Sequence, residues 1–585
     1  MFCGRGALTP RGMAGEGVRP QKRFSAFSFA KATEDKPFGM TGSGTFSFCA
    51  FLRQSAVALC VGGCSLWPFL TSCSKREAPS DNGQVLRISQ RNEPATLDPQ
   101  LATLPDEFFV IRALSEGLLT PAPGGGAPQP AIAVNWVVSP DERTYTFELR
   151  SGARWSNGDP VTAADFVYSI HRILSPALAA PKAPLFFQLK NAGAFHAGRE
   201  KDFSAVGVRA LGDQRLEFTL EEPAADFLAM VASGPWIPVH AATIEQYGRM
   251  DQRGTDWTRP GNYVGNGPFV LTSSVLNQVI VVARNQKYWD APHVNLQEVR
   301  FLAYDNGDSE ERAFRAGQLD VTLSVPFSKL ATYRRAQPPV LRTSPLHETR
   351  YLALNTRRPP LNNESVRRAL GLALNRTALV EKVLMGGQQP AFPFIPPGLG
   401  GYQPHWRIGE DPGEARRLLR EAGFPDGRGF PKLELTTWVN TPVLEAIQQM
   451  WRSELGIEVT IAPREARTHL AALVAGNYDL ALVTAIPDYN GASDLLTDLT
   501  SGNPSNYPHW SSVEFDQLVA AGGQSGSVSL RTTAYQRAEK LLLDEMPLIP
   551  LYFNAKNFLI RPAVQGWQED ALWTRFYKNV SLHEK

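Results

Sequence analysis

From residue 85 onward, hydrophobic and polar positions alternate with a period that changes from stretch to stretch. A period near 2 marks strands and one near 3.6 marks helices. Period 2 runs through Tyr145-Thr146-Phe147-Glu148-Leu149 and Leu216-Glu217-Phe218-Thr219-Leu220. Apolar runs at 85–88, 269–271, 279–283, 299–303, 351–355, 433–437, 457–461, 478–484 and 549–553 predict further strands, the pair 269–271 and 279–283 adjacent. Helical spacing occupies 108–119, 163–174, 309–316, 364–384, 413–422, 444–455, 468–475 and 531–543. Thr162 is a suitable N-cap with Asp165 three positions on, and Gly317 and Gly423 close two of the other helices. Residues 121–130, rich in Pro and Gly, form a hairpin or loop. Strands alternating with helices predict an α/β protein, with a mainly antiparallel portion around 130–220.

Ahead of this pattern the chain behaves differently. Residues 1 to about 50 carry no clear period and read as disordered or as an over-extended start, with Met40 as the alternative first residue. Arg53 then precedes an apolar run through Ala56-Val57-Ala58-Leu59-Cys60-Val61 to Leu70. A basic residue before a short apolar core is the layout of an export signal, and the run is too short and interrupted for a spanning helix. It ends in Leu70-Thr71-Ser72-Cys73, which resembles the bacterial lipobox. That resemblance implies cleavage before Cys73, a lipid on its thiol and a polar tether over 74–83. Ordinary cleavage beside a chance cysteine is the plainer alternative.

Composition narrows the function classes. At 585 residues the chain is too long for one core, so two or three domains are expected. A net charge of +2 gives no electrostatic case for nucleic acid. All five cysteines precede residue 74, which removes disulfides, thiolate chemistry and Cys-based zinc sites from the body. No Gly-x-Ser-x-Gly elbow, His-Glu-x-x-His or P-loop occurs. His171, His196, His240 and His293 are scattered without ligand spacing, and Glu310-Glu311 fits a solvated helix face. An enzyme is therefore not expected, nor a cofactor.

Three segments carry a specific resemblance. They are Tyr145–Arg150 with Trp155-Ser156-Asn157-Gly158-Asp159-Pro160-Val161-Thr162-Ala163-Ala164-Asp165-Phe166; Asn266-Gly267-Pro268-Phe269 with Arg284-Asn285 and Tyr288-Trp289; and Val366-Arg367-Arg368-Ala369-Leu370 with Ala373-Leu374-Asn375-Arg376. Together they resemble the peptide-binding receptors of ABC importers, solute-binding family 5, most of all its oligopeptide-binding members. The residues themselves have structural explanations: Asn157-Gly158-Asp159-Pro160 is turn chemistry, and Trp155 and Trp289 are packing anchors. The resemblance implies a two-lobe periplasmic-binding-protein fold (class II, cluster C) with an inserted domain. Lobe I would be 84–118, 242–346 and 556–585, the inserted domain 119–241 and lobe II 347–555, following a leader over 1–73 and the tether.

The same resemblance implies a monomeric receptor that delivers oligopeptides to an ABC permease and ATPase complex, held to the membrane through Cys73. Other solutes share the fold: dipeptides, nickel chelates, haem or oligosaccharides. A sensory or chaperone-like surface lipoprotein is a further alternative. The triplet Asp488-Tyr489-Asn490, after a buried strand, resembles the segment with which the family holds a ligand's α-ammonium. The plainer role for Asp488 is to cap a turn or to pair with a nearby arginine. Thr484, Ala485 and Ile486 would offer main-chain partners to the peptide, and Thr103, Leu104 and Pro105 would face it from lobe I. Pro105 lacks an N–H, so one main-chain bond is missing there. Leu482 stands where the oligopeptide-binding members have an arginine for the ligand carboxylate, Ala485 where they have a tryptophan, and no carboxylate-binding histidine is found near Trp438-Val439-Asn440. The amine anchor thus looks retained and the carboxylate anchors lost.

Overall fold

The computed structural model describes residues 83–583 apart from positions 92 and 440. The leader, Cys73 and the tether up to residue 82 lie outside the described residues.

Three sheets organise the described chain. Strand β1 (Val85–Gln90) opens the first and leads through a loop to helix α1 (Pro105–Leu114). The chain then builds a separate antiparallel sheet from β2 (Ala133–Val138), β3 (Thr144–Leu149), β4 (Val208–Ala210) and β5 (Arg215–Thr219), in the order β2-β3-β5-β4. Helix α2 (Ala163–Leu174) lies between β3 and β4 in sequence. The inward residues of this sheet, Phe147 and Phe218, pack with Phe227 and Trp236 in a buried aromatic cluster. Strands β6 (Phe269–Val275), β7 (Val279–Arg284) and β8 (Glu298–Ala303) then return to the first sheet, whose order is β1-β8-β7-β6. Its core of Leu86, Ile88, Phe109, Phe269 and Phe301 is completed by Tyr577 and Val580 from the far end of the chain.

The third sheet is the largest. It comprises β9 (Leu341–Leu354), β10 (Gln389–Pro390), β11 (Leu433–Thr437), β12 (Val459–Pro463), β13 (Leu480–Ala485) and β14 (Leu548–Leu559). Their order is β10-β14-β9-β13-β11-β12, with β13, β11 and β12 mutually parallel. Both faces are covered at its centre, where β13 and the paired parts of β9 and β14 are nearly continuous apolar runs. Leu352, Leu354, Leu480 and Leu482 face one helical layer, while Tyr351, Ala353, Ala481 and Val483 face the other. This is the period-2 pattern with a helix layer on each side.

Glu310 and Glu311, expected on a solvated helix face, are buried, and Glu310 accepts from the Leu323 and Ser324 amides at 2.8 Å. Two expectations about the elements also change. The helix predicted over 364–384 is broken: α3 (Glu364–Leu372) stops, and Asn375 starts a new turn by accepting from the Ala378 amide at 2.7 Å. An asparagine side chain that offers the backbone an alternative partner interrupts a helix in this way. The next residue, Arg376, is fully buried and donates to the Pro550 carbonyl at 2.7 Å, so this signature residue ties the helix end to the sheet. The strands predicted at 351–355 and 549–553 are also much longer. β9 and β14 pair from Leu341↔Leu559 to Ala353↔Leu548, with register shifts between Pro345 and Thr349 and between Arg350 and Tyr351. Past β14, Ile560 bridges Val321, which bridges Ile88 of β1, so this strand pair reaches from the third sheet to the first.

Candidate functional site

The triplet Asp488-Tyr489-Asn490 follows β13 where its pairing runs out. Toward β9 the ladder extends to Thr349↔Ala485, but toward β11 it ends at Thr436↔Ala481. The β11-side edge of residues 483–486 therefore has no strand neighbour among the described residues. An open edge in a cleft can pair with an extended ligand.

Beyond that edge lies a cavity of about 470 Å³. Of the predicted residues, Thr103, Leu104, Pro105, Ile486, Asp488, Tyr489 and Asn490 line it, while Thr484 and Ala485 sit farther back on the strand. Its wall is largely apolar, with Phe108, Pro235, Leu572 and Trp573, and Arg112 is among its charged members.

The side of the cavity formed by residues 103–105 is held by buried ion pairing. Arg172 on α2 holds Asp98 at 2.6 Å, both side chains almost fully buried, and so fixes the loop that presents residues 103–105. Glu107 then accepts from the amides of Thr103 at 2.6 Å and Leu104 at 2.9 Å. The expectation that these residues offer main-chain partners is narrowed: both amides are spent on the helix start, and Pro105 has none. The main chain of 103–105 can offer only carbonyl acceptors, and that of Leu104 already accepts from the Glu107 amide at 3.1 Å.

Asp488 has a partner that the sequence did not disclose. Lys182 Nζ, from the inserted sheet's domain, lies 2.6 and 2.7 Å from its two carboxylate oxygens. The Asp488 side chain is one third exposed, less enclosed than the end of a buried strand suggested. Its amide donates to Asp494 Oδ2 at 2.5 Å. Burial, then the neighbouring Asp488 and Asp498 charges, push the Asp494 carboxyl well above the usual range. Burial and Asp488 raise Asp498 to about 6. Burial works against the Lys182 charge, yet the three carboxylates, Asp488 foremost, raise its pKa overall. One lysine thus faces three carboxyl groups.

The rest of the triplet lines the cavity and also makes bonds that hold the structure. Tyr489 is buried and its hydroxyl pairs with Ser493 Oγ at 2.9 Å; Ser493 in turn donates to Asp226 at 2.5 Å. Asn490 accepts from the Gly400 amide at 2.8 Å and reaches the Gly126 carbonyl at 3.3 Å. Lys182–Asp488, Ser493–Asp226, Asn490–Gly126 and the Ala225 N–H to the Gly523 carbonyl at 3.0 Å tie the chain around the β2–β5 sheet to the segment after β13 and to Gly523. Trp155 is fully buried, and Trp289 lies beneath the Arg150 guanidinium and donates to Glu116; neither lines the cavity. Among the described residues no group of three or more His, Cys, Asp or Glu is arranged to hold a metal ion.

Comparison with known proteins fits this geometry. The model of the bacterial extracellular solute-binding proteins, family 5, matches residues 127–507. The periplasmic murein peptide-binding protein MppA of Escherichia coli is 33% identical over 522 residues, covering 85% of this chain and 94% of that protein. Its solved structure superposes with a TM-score of 0.77 over 86% of this chain and 99% of that one. The probable deoxycholate-binding periplasmic protein YgiS of E. coli is 34% identical, covering 83% and 90%. The periplasmic oligopeptide-binding protein OppA of Salmonella typhimurium is 32% identical, covering 85% and 92%.

Proposed function

The chain belongs to family 5 of the bacterial extracellular solute-binding proteins, and from that membership we propose that it is a peptide receptor serving an ABC importer. It binds extended peptides between two lobes, releases them unchanged and performs no chemistry. The observation that carries this reading is the end of β13, where an open strand edge leads toward a cavity lined by Asp488 and Lys182, with buried Asp494 and half-buried Asp498 acting on the same lysine. Such a site accepts a main chain along the edge and a cation at Asp488. We put the lobe boundaries at 346/347 and 555/556, in the stretch where β9 and β14 reach between sheets, and the Pro345–Thr349 register shift supports a hinge there.

Short synthetic peptides should raise the melting temperature as their concentration passes Kd, because they bind the folded state alone. The peptide should be recovered intact. If no peptide shifts the transition, the reading fails. A second reading has its own support: a largely apolar cavity with Arg112 and Lys182 suits an amphipathic anion, the ligand class in the name of the 34%-identical YgiS. A shift with a bile acid and none with any peptide would select it.

Two further outcomes follow from this reading. Affinity for free-amine peptides should fall as pH drops through about 6, because protonating Asp498 removes a negative charge near Asp488. The carboxyl groups of Asp488 and Asp494 and the Lys182 ammonium face the same cluster, so titration calorimetry from pH 5 to 8 reads their sum. An N-acetylated peptide should show no such dependence. At the membrane, we read Cys73 as the lipid attachment point of a periplasmic or cell-surface protein. Among the described residues no helix is long and apolar enough to cross a bilayer. Cys73→Ala should move the protein from the membrane to the soluble fraction; unchanged sedimentation with membranes would count against the anchor.

A further inference from the structure

The open edge of β13 has a stop at its far end. Asn355 N–H donates to the Asp479 carbonyl at 3.0 Å, and residues 481, 483 and 485 lie opposite 353, 351 and 349 of β9. In an alternating strand these odd-numbered main-chain groups turn to β9, and the even-numbered ones turn to the β11 side. Two carbonyls on that side are already met by side chains: Thr436 Oγ1 lies 3.4 Å from the Leu480 carbonyl, and His469 Nε2 lies 3.2 Å from the Leu482 carbonyl. The main chain of Thr484 and Ile486 is left facing the open side.

His469 is buried on helix α4 (Ala466–Ala475). A carbonyl can only accept, so Nε2 carries the proton of this bond. Burial pushes the pKa of the ring down, which favours its neutral form, and Nδ1 is buried without a partner. The ring centre lies 5.1 Å from that of Trp438, the residue that follows β11. The chain turns there: Thr437 Oγ1 accepts from the Val439 amide at 3.1 Å and donates to the Val439 carbonyl at 2.8 Å. The place beside Leu482 that a further β11 residue would fill thus holds the His469 ring, with Trp438 against it.

We infer that His469 sets the length of the bound peptide: it closes the edge at Leu482, so a ligand pairs with Ile486 and Thr484 and goes no farther along the strand. This rests on the peptide reading above and adds a length limit to it. A ligand whose ammonium meets Asp488 runs antiparallel to β13. With its first residue opposite Ile486, its third stands opposite Thr484 and its fifth opposite Leu482. There the carbonyl is already taken and the imidazole occupies the place of a ligand residue. At about 3.4 Å per residue the stop lies roughly 14 Å along the strand from the ligand's first residue, so about four residues fit.

The test is calorimetry of wild type, His469→Ala and His469→Gln with a nested series of peptides from three to six residues, all with free termini. Wild type should bind the tri- and tetrapeptide with similar affinity and the hexapeptide roughly 10-fold more weakly. His469→Ala should bind the tripeptide as wild type does and the hexapeptide roughly 10-fold more tightly than wild type, the effect of freeing one main-chain acceptor and removing a clash. His469→Gln, whose side-chain amide can reach the same carbonyl, should keep the wild-type profile. If the alanine variant does not fold, Trp438→Ala, which removes the ring packed on the histidine, should show the gain for the hexapeptide instead, and an unchanged profile there counts against the stop. Wild type that binds hexapeptide and tetrapeptide equally would overturn the assignment while leaving the peptide reading intact. Equal losses at every length in folded His469→Ala would make the histidine a mere support of the strand and overturn it as well. Failure of every peptide to bind wild type would remove the peptide reading and this limit with it.

Discussion

Asp488→Asn should weaken binding of a free-amine peptide by roughly 10- to 100-fold and leave its N-acetylated counterpart nearly unchanged. The substitution keeps the side chain's shape and removes its charge. A charge-assisted hydrogen bond contributes about 1.5–3 kcal/mol, and each 1.4 kcal/mol is about a decade in Kd. Because the Asp488 side chain is a third exposed, solvent screening places the effect toward the lower end of that range. The acetylated peptide has no ammonium to lose. Asp494 and Asp498 remain beside the site and keep Lys182 within reach of negative charge, so the variant should fold. A calorimetric cycle over both proteins and both ligands isolates the charge pairing. If both ligands lose affinity equally, Asp488 only shapes the turn after β13, and its amide bond to Asp494 is then its main role.

The elements were legible wherever a period ran unbroken. Tyr145 to Leu149 alternates and is β3; Thr162 and Asp165 mark a helix start, and Asp165 Oδ2 does accept from the Thr162 amide at 2.7 Å. Legibility failed where polar residues serve long-range structure. The first part of β9 reads Leu341-Arg342-Thr343-Ser344-Pro345, a stretch without strand periodicity that β14 nonetheless pairs. The Asn375 break was hidden because its side chain competes with a helix that its neighbours favour. At the site, Glu107 did carry a signal: an acid two places after Pro105, where it can accept amides at a helix start, foretold that Thr103 and Leu104 would spend their N–H groups. No local signal marks Lys182. It sits between Pro181 and Pro184 on an unremarkable loop, 306 residues from the carboxylate it meets, and only tertiary assembly joins them.

That lysine yields a prediction opposite in sign for two ligands. Lys182→Met should strengthen binding of a free-amine peptide and weaken binding of its N-acetylated version, widening the ratio by roughly 10- to 100-fold. In wild type the Lys182 ammonium already stands at both oxygens of Asp488, where a ligand ammonium would come. Two like charges 4 Å apart repel by about 4 kcal/mol at an effective dielectric constant of 20. Asp494 and Asp498 offset part of this, so the ligand is admitted against a residual repulsion that methionine removes. An acetylated ligand brings no charge, and in wild type the Lys182–Asp488 pair stays intact beneath it. In the variant Asp488 would be enclosed without a partner, which is the costly way to break an ion pair. Lys182 also joins the inserted domain to the third sheet's side of the cavity, so its loss can weaken closure. That loss affects both ligands alike and cancels in their ratio. Competition titrations of the two peptides against wild type and variant measure the ratio directly. A ratio unchanged by Lys182→Met would mean that the lysine only bridges the two halves of the cleft and takes no part in selecting the ligand's amino end.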